Sequence, residues 1–331
     1  MPEFMTLFIA LIVAAITYGT PLLFGTLGEI LTEKSGSLNL GVEGIMFMGG
    51  AIGLGGVFYY EKFASAPNGV LAILIGILCA FLAGGIASLI FSVLTITLRA
   101  NQNVTGLALS IFGTGIGQFV GEYMRTREGG FIAISNDLKV FFINSPFPKS
   151  LQELPVVGKI LFSHSIFFYL GLLTAVAMFW YLNRTRSGLY LRSVGESPST
   201  ADAAGISVGR YKYLATIIGG GVSAIGGMVY ITTIAGCVWN HEGLAGVGWL
   251  AVALVIFCMW RPLSAIWGSV LFGALMILYL RLVIPFIPTQ LYKILPYVVT
   301  VIVLIVSSMR NNKEKSKPWK RCRTRKISSR I

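Results

Sequence analysis

The chain has 331 residues, 55% of them hydrophobic and only 12% charged, with a mean hydropathy of +0.78 and a formal net charge of +13. A soluble domain carries about 25% charged residues. Low charge and repeated long apolar runs exclude a soluble domain and specify an all-α, polytopic transmembrane helical bundle.

The first apolar run, 5–27, reads as a retained span, because no basic region precedes it and no small-residue cleavage site follows. A polar, Gly-rich segment, 28–44, leads into an apolar helix over 41–60. The link 61–69, a long span over 70–98 and the turn Arg99-Ala-Asn-Gln-Asn103 come next. The span 104–121 carries Gly113, Gly117 and Gly121 at spacing four, a stripe assigned to internal helix packing. Residues 122–160 form the longest polar loop, with five bases and four acids. After the span 161–183 comes 184–212, with five Lys/Arg and two acids. Within it Ser197 suits an N-cap, Pro198 the first helical position and Gly205 the position past the end, which predicts a helix of about two turns over 198–204. Four apolar runs follow, at 213–235, 249–260, 263–284 and 291–309. The run 249–260 is short for a span and is expected to begin in the preceding Gly-rich segment. Residues 310–331 hold ten Lys/Arg and one Glu and read as a disordered basic tail on a single transmembrane domain, 1–309.

Charge orients the chain. The loop 184–212 and the tail 310–331 are strongly basic, so both belong in the cytoplasm, and the even number of runs between them agrees. Residues 29–34 and Arg261 then lie inside, whereas 122–160, 239–243 and 285–290 lie outside. The expectation is eight or nine crossings of a cytoplasmic (inner) membrane with a cytoplasmic C-terminus. The basic tail is a topology signal and a contact for anionic lipid rather than a nucleic-acid site. One weak echo links the halves: Ser35-Gly-Ser-Leu-Asn-Leu-Gly41 and Trp239-Asn-His-Glu-Gly-Leu-Ala-Gly-Val-Gly248 both interrupt apolar runs, as broken helices along a substrate path do.

The chemistry is mostly defined by what is missing. No Gly-x-x-x-x-Gly-Lys-Ser/Thr loop, His-Glu-x-x-His pair or nucleophile elbow with a triad occurs, so the chain reads as non-catalytic. Cys79, Cys237, Cys258 and Cys322 lack metal-ligand spacing, and with only two histidines no metal site is expected. Charged candidates within or beside spans are Glu43, Arg281 and His164, each also readable as an interface residue. Uncharged candidates for a neutral hydroxylated or nucleobase solute are Asn39, Asn101, Asn103, Thr105, Gln118 and Asn240, each also readable as a helix cap or interhelical hydrogen bond. An ion-coupled secondary carrier is the alternative to a partner-driven transporter.

Several stretches resemble a known family. Gly28-Glu-Ile-Leu-Thr-Glu-Lys-Ser-Gly-Ser-Leu-Asn-Leu-Gly-Val-Glu-Gly-Ile-Met-Phe-Met-Gly49 is similar to the N-terminal signature of bacterial ABC-transporter permeases for nucleosides and simple sugars, within the wider ribose and branched-chain amino acid permease group. Asn101-Gln-Asn-Val-Thr-Gly-Leu-Ala-Leu-Ser-Ile-Phe-Gly-Thr-Gly115, Gly195-Glu-Ser-Pro-Ser-Thr-Ala-Asp-Ala-Ala-Gly-Ile206, Leu280-Arg281 and Leu295-Pro-Tyr-Val-Val-Thr300 resemble later blocks in order. The resemblance implies a permease subunit that binds no cofactor itself, with ATP and Mg on a partner ATPase. It implies as further partners a second permease subunit, expected as a heterodimer, and a substrate-binding lipoprotein or periplasmic protein. It also implies that Gly195, Glu196, Ser197, Pro198, Ala201, Ala203, Ala204 and Gly205 couple to the ATPase. The substrate pathway is expected at Asn39, Glu43, Asn101, Asn103, Asn240 and Arg281, with nucleosides the first expected cargo and simple sugars the second.

Overall fold

The computed structural model describes residues 3–281 except 153 and 155, together with 294–295, 297–302 and 305. The long helices are α1 (Glu3–Lys34), α2 (Val42–Phe63), α3 (Gly69–Ser92), α4 (Gln102–Arg127), α8 (Ile166–Arg184) and α11 (Val208–Val229). Three short helices, α5 (Asn136–Ile143), α6 (Lys149–Gln152) and α7 (Val157–Leu161), lie between α4 and α8. Two more, α9 (Arg186–Glu196) and α10 (Pro198–Ala203), lie between α8 and α11, and α12 (Val247–Phe257) and α13 (Pro262–Arg281) complete the set. Single π-helical turns, Val93–Thr97 and Tyr230–Ile234, extend α3 and α11. Six helices among the described residues are long and apolar enough to cross a membrane, and two shorter apolar helices follow. The expected span 291–309 falls largely outside the described residues, and the basic tail wholly so.

Helix α11 is the centre of the bundle, packing on α1, α2 and α3 at once. Its glycines permit this. A methyl group at Gly227 would lie 1.8 Å from the Met46 carbonyl oxygen, so the α2 backbone occupies the space a side chain would need. Around these close approaches Leu22, Leu27, Ile30, Phe47, Leu54 and Met228 fill the fully buried interior. Helix α3 turns Val70, Leu74, Leu78, Leu82 and Ile86 outward at near four-residue spacing, a lipid-facing stripe. The expected internal role of the α4 stripe holds: Gly113 faces Gly44, Gly117 faces Phe47 and Gly121 faces the Trp239 indole.

The two ends of the bundle sort as the charge pattern requires. At one end Gly36 meets Gly195, the Thr97 hydroxyl meets the Tyr213 hydroxyl at 2.5 Å, and the Trp260 indole N–H donates to Glu33. At the other, Lys62 pairs with Glu128 at 2.7 Å and an isolated antiparallel bridge joins Ala133 to Val238. So 34–36, 97–101, 184–212 and 260 share one face, and 61–69, 128–165 and 237–242 share the opposite one.

Three boundaries differ from expectation. Residues 28–34 are not a loop: α1 runs through them, because Leu27, Ile30 and Leu31 keep a helical apolar face and Glu29 faces inward, 1% exposed. Residues 122–127 are the last turns of α4 rather than loop. Residues 186–196 are a helix, α9, which the polar composition of 184–212 conceals.

Candidate functional site

Two constellations carry the candidate residues: a paired helical element at the basic end and a junction inside the bundle. In the first, Thr185 caps α9, its Oγ1 accepting from the Gly188 N–H at 3.0 Å. Gly188, Leu191 and Val194 make the buried face of α9 at helical spacing. Gly195 lies against the end of α1, and a methyl group there would sit 2.3 Å from the Lys34 carbonyl oxygen. This places Gly195 at the seam between α9 and α1, while Glu196 points to solvent.

Helix α10 starts with Pro198 in its first turn, as expected. Ser197 occupies the N-cap position, but its hydroxyl bonds the Thr200 hydroxyl at 2.7 Å instead of a backbone N–H. The C-terminal stop is a Schellman motif: Gly205, at φ +77°, donates to Asp202 O at 2.9 Å and Ile206 donates to Ala201 O at 3.0 Å. Of the three alanines expected to couple to the ATPase, Ala201 is 3% exposed and turned into the chain's own packing. Ala203 and Ala204 are exposed.

The inner junction is built around 35–43. Between α1 and α2 the chain leaves helical geometry inside the bundle, where each freed backbone group needs a protein partner. Side chains supply them. Asn39 N–H donates to the buried Glu29 carboxylate at 3.1 Å, Leu38 N–H to Gln102 Oε1 at 2.8 Å, and Gly41 N–H to Asn39 Oδ1 at 2.9 Å. The Ser110 hydroxyl donates to Leu40 O at 2.9 Å.

Two residues further on, Glu43 sits on the first turn of α2, 7% exposed. Its carboxylate accepts from Gly246 N at 2.6 Å, Gly248 N at 2.6 Å and Trp249 N at 3.2 Å. These N–H groups are the otherwise unsatisfied donors at the start of α12, where the helix dipole also favours a negative charge. Gly248 is required there, since a methyl group would lie 2.4 Å from the Glu43 Cα. The first turn of α2, two residues past the first interruption, is therefore in direct contact with the end of the second. The second, 235–246, is tied at its other end to the cap over the bundle, with Ile134 N donating to Cys237 O and Trp239 N to Ile132 O.

The remaining expected pathway residues do not join this junction. Asn101 caps α4, accepting from Asn103 N at 3.0 Å and Val104 N at 3.2 Å, and Asn103 is exposed on the first turn. Asn240 lies at the far end, where its Oδ1 accepts from Glu242 N at 3.2 Å. Arg281 closes α13, and its side chain lies outside the described residues. His164 is buried just before α8, its Nε2 2.8 Å from Ile160 O, and burial holds its pKa below the usual histidine value. Sequence reasoning missed Glu29 and Glu33. Their spacing of four on an apolar helical face was the available signal.

Comparison with known proteins assigns this architecture. Residues 11–304 match the model of the family described as branched-chain amino acid transport system / permease component. The chain is similar to a putative glucose ABC transporter permease protein of Haloferax volcanii, 35% identical with 81% of this chain and 76% of the relative covered. It is similar to a nucleoside ABC transporter permease protein of Lactococcus lactis, 33% identical with 87% and 88% covered. A guanosine ABC transporter permease protein of Bacillus subtilis is 31% identical, with 88% and 89% covered. These likenesses set aside the alternative of an ion-coupled secondary carrier. A bundle of long apolar helices and a family match spanning almost the whole chain give one result: the protein belongs to the branched-chain amino acid transport system / permease component family, as a membrane permease subunit of an ABC importer.

Proposed function

We propose that the chain forms one half of the membrane pathway of an ATP-driven importer whose cargo is a nucleoside, with simple sugars as the second class. The names of the similar proteins, two nucleoside permeases and one putative glucose permease, support that order. A separate ATPase binds ATP and Mg, a second permease subunit completes the pathway as a heterodimer, and a substrate-binding lipoprotein or periplasmic protein delivers the solute. The basic end faces the cytoplasm, carrying 184–212 and the C-terminal tail.

The observation that carries the mechanism is the seam at Gly195. Helix α10 offers Pro198, Ser199, Ala203 and Ala204 outward, and α9 behind it presses on the end of α1. ATPase movement at α10 reaches α1 through Gly195 and Lys34, then the 35–43 segment through Glu29 and Asn39. Replacing Ala203 and Ala204 with Asp is expected to abolish co-purification of the ATPase and ATP-dependent uptake while leaving the fold intact, since both positions are exposed. Unchanged association and uptake would defeat this reading. Uptake of labelled guanosine against labelled ribose by the reconstituted complex decides the cargo class.

A further inference from the structure

Helix α8 packs on α1, α9 and α13, and α11 packs on α1, α2 and α3. Where α8 and α11 face each other, beside α9, they leave a groove of about 340 Å³ floored by Leu31 of α1. Its walls are Ala177 and Met178 on one side and Leu214, Ile218 and Val222 on the other. From Tyr211 to Val222, α11 advances about 16 Å at 1.5 Å per residue. That is close to the depth of one leaflet in a hydrocarbon core about 30 Å thick. The groove ends at the membrane boundary in a polar rim, where the Tyr181 hydroxyl meets Ser187 Oγ at 3.1 Å and Tyr211 lines the edge.

The chain segments that line this rim also carry Arg184, Arg186 and Arg210, all exposed, and the half-buried Lys212. Arg186 precedes the groove residue Ser187, and Arg210 and Lys212 flank Tyr211. Among the described residues the ion pairs are Lys62 with Glu128, and Glu122 with Arg125 and His241, all at the opposite end of the bundle. The segment 184–212, with five Lys/Arg against two acids, therefore brings a positive excess to the end of an apolar slot one leaflet deep. We propose that this groove binds an anionic phospholipid, with one acyl chain between α8 and α11 and the phosphate against Arg186 and Arg210. The lipid is in contact with Leu191 of α9, so its occupancy steadies the helix that presses on α1. The proposal rests on the membrane-spanning architecture and is independent of the role given to α10.

The test uses the full chain purified in mild detergent and exchanged into palmitoyl-oleoyl phosphatidylglycerol or phosphatidylcholine, with retained lipid counted by native mass spectrometry. One phosphatidylglycerol per chain is expected to outlast phosphatidylcholine. Arg186→Gln and Arg210→Gln should each weaken that preference about fivefold, from roughly 1 kcal/mol per charge near the surface. Ala177→Trp, at an exposed groove position, should displace either lipid. Equal retention of the two lipids by the wild-type chain overturns the proposal. So does phosphatidylglycerol retention that falls with the arginine changes yet is untouched by Ala177→Trp, which would place the lipid at the surface only. A change in oligomeric state on Ala177→Trp at constant bound lipid would assign the groove to a second copy instead.

Discussion

The two interruptions of the bundle face the same physical demand and meet it differently. In 35–41 the freed backbone groups are taken up by side chains of α1 and α4: Glu29, Gln102 and Ser110. In 235–246 the part next to 128–165 is held by backbone, through the bridge at Ala133 and through Cys237 and Trp239, while the N–H groups of Glu242 and Gly246 go to the side chains of Asn240 and Glu43. The first interruption thus belongs mechanically to the end where α9 and α10 lie, and the second to the opposite end. Glu43 bonds across the divide. A movement that starts at one end and must alter access at the other has a short route through this carboxylate.

Breaking that link gives the largest expected effect. Glu43→Ala leaves three N–H groups at the start of α12 without their acceptor and should destabilise the chain by about 3–5 kcal/mol, read as a lowered unfolding midpoint in detergent. Glu43→Gln, which keeps one accepting oxygen, should recover part of the loss and separate geometry from charge. Next comes the seam: Gly195→Val forces α9 away from Lys34 and should cost about 1–3 kcal/mol. Its sharper readout is ATP hydrolysis that continues in the assembled complex while uptake falls, whereas a retained ratio of uptake to hydrolysis would remove Gly195 from the coupling route. Asn39→Ala removes the acceptor for Gly41 N–H and the Asx-type turn that starts α2, with about 1–2 kcal/mol expected.

The smallest effect concerns the cap side alone. Burial lowers the pKa of folded His164 below the ordinary value of about 6.5, so the unfolded chain takes up this proton first as pH falls. The stability tied to neutral His164 is whole above about pH 6.5 and declines below it, by at most about 1.4 kcal/mol per pH unit. His164→Gln should flatten that part of the unfolding profile. An unchanged slope in the variant would assign the acid sensitivity to another group.

Much of the architecture was legible before any coordinates. Long apolar runs forecast the helices, the spacing of Gly113, Gly117 and Gly121 forecast a close internal contact, and Pro198 and Gly205 marked the limits of α10. Composition misled where polar residues serve packing. Gly188 and Gly195 lie in a stretch whose polar composition gave no helix, yet both are positions where α9 touches other backbone, a fact local propensity does not contain. Glu29 fell in a stretch read as polar and Gly-rich, whereas it is buried in α1 and accepts from Asn39 N–H. Asn101 and Asn39 were weighed as pathway groups and as helix caps or interhelical hydrogen bonds, and both have local backbone partners. The contact of Glu43 with Gly248, separated by 205 residues, has no local signal at all.

That separation also has a consequence in time. Glu43 emerges from the ribosome 203 residues before Gly246, its first partner, at the N-cap of α12. At about 5–20 residues per second this is a delay of roughly 10–40 s. During it α2 carries an acid whose native N–H donors do not yet exist. The first half of the chain therefore cannot complete its interior on its own. Helix α2 can pack on α3 and α4 as these emerge, but the carboxylate of Glu43 is satisfied only once the start of α12 has arrived.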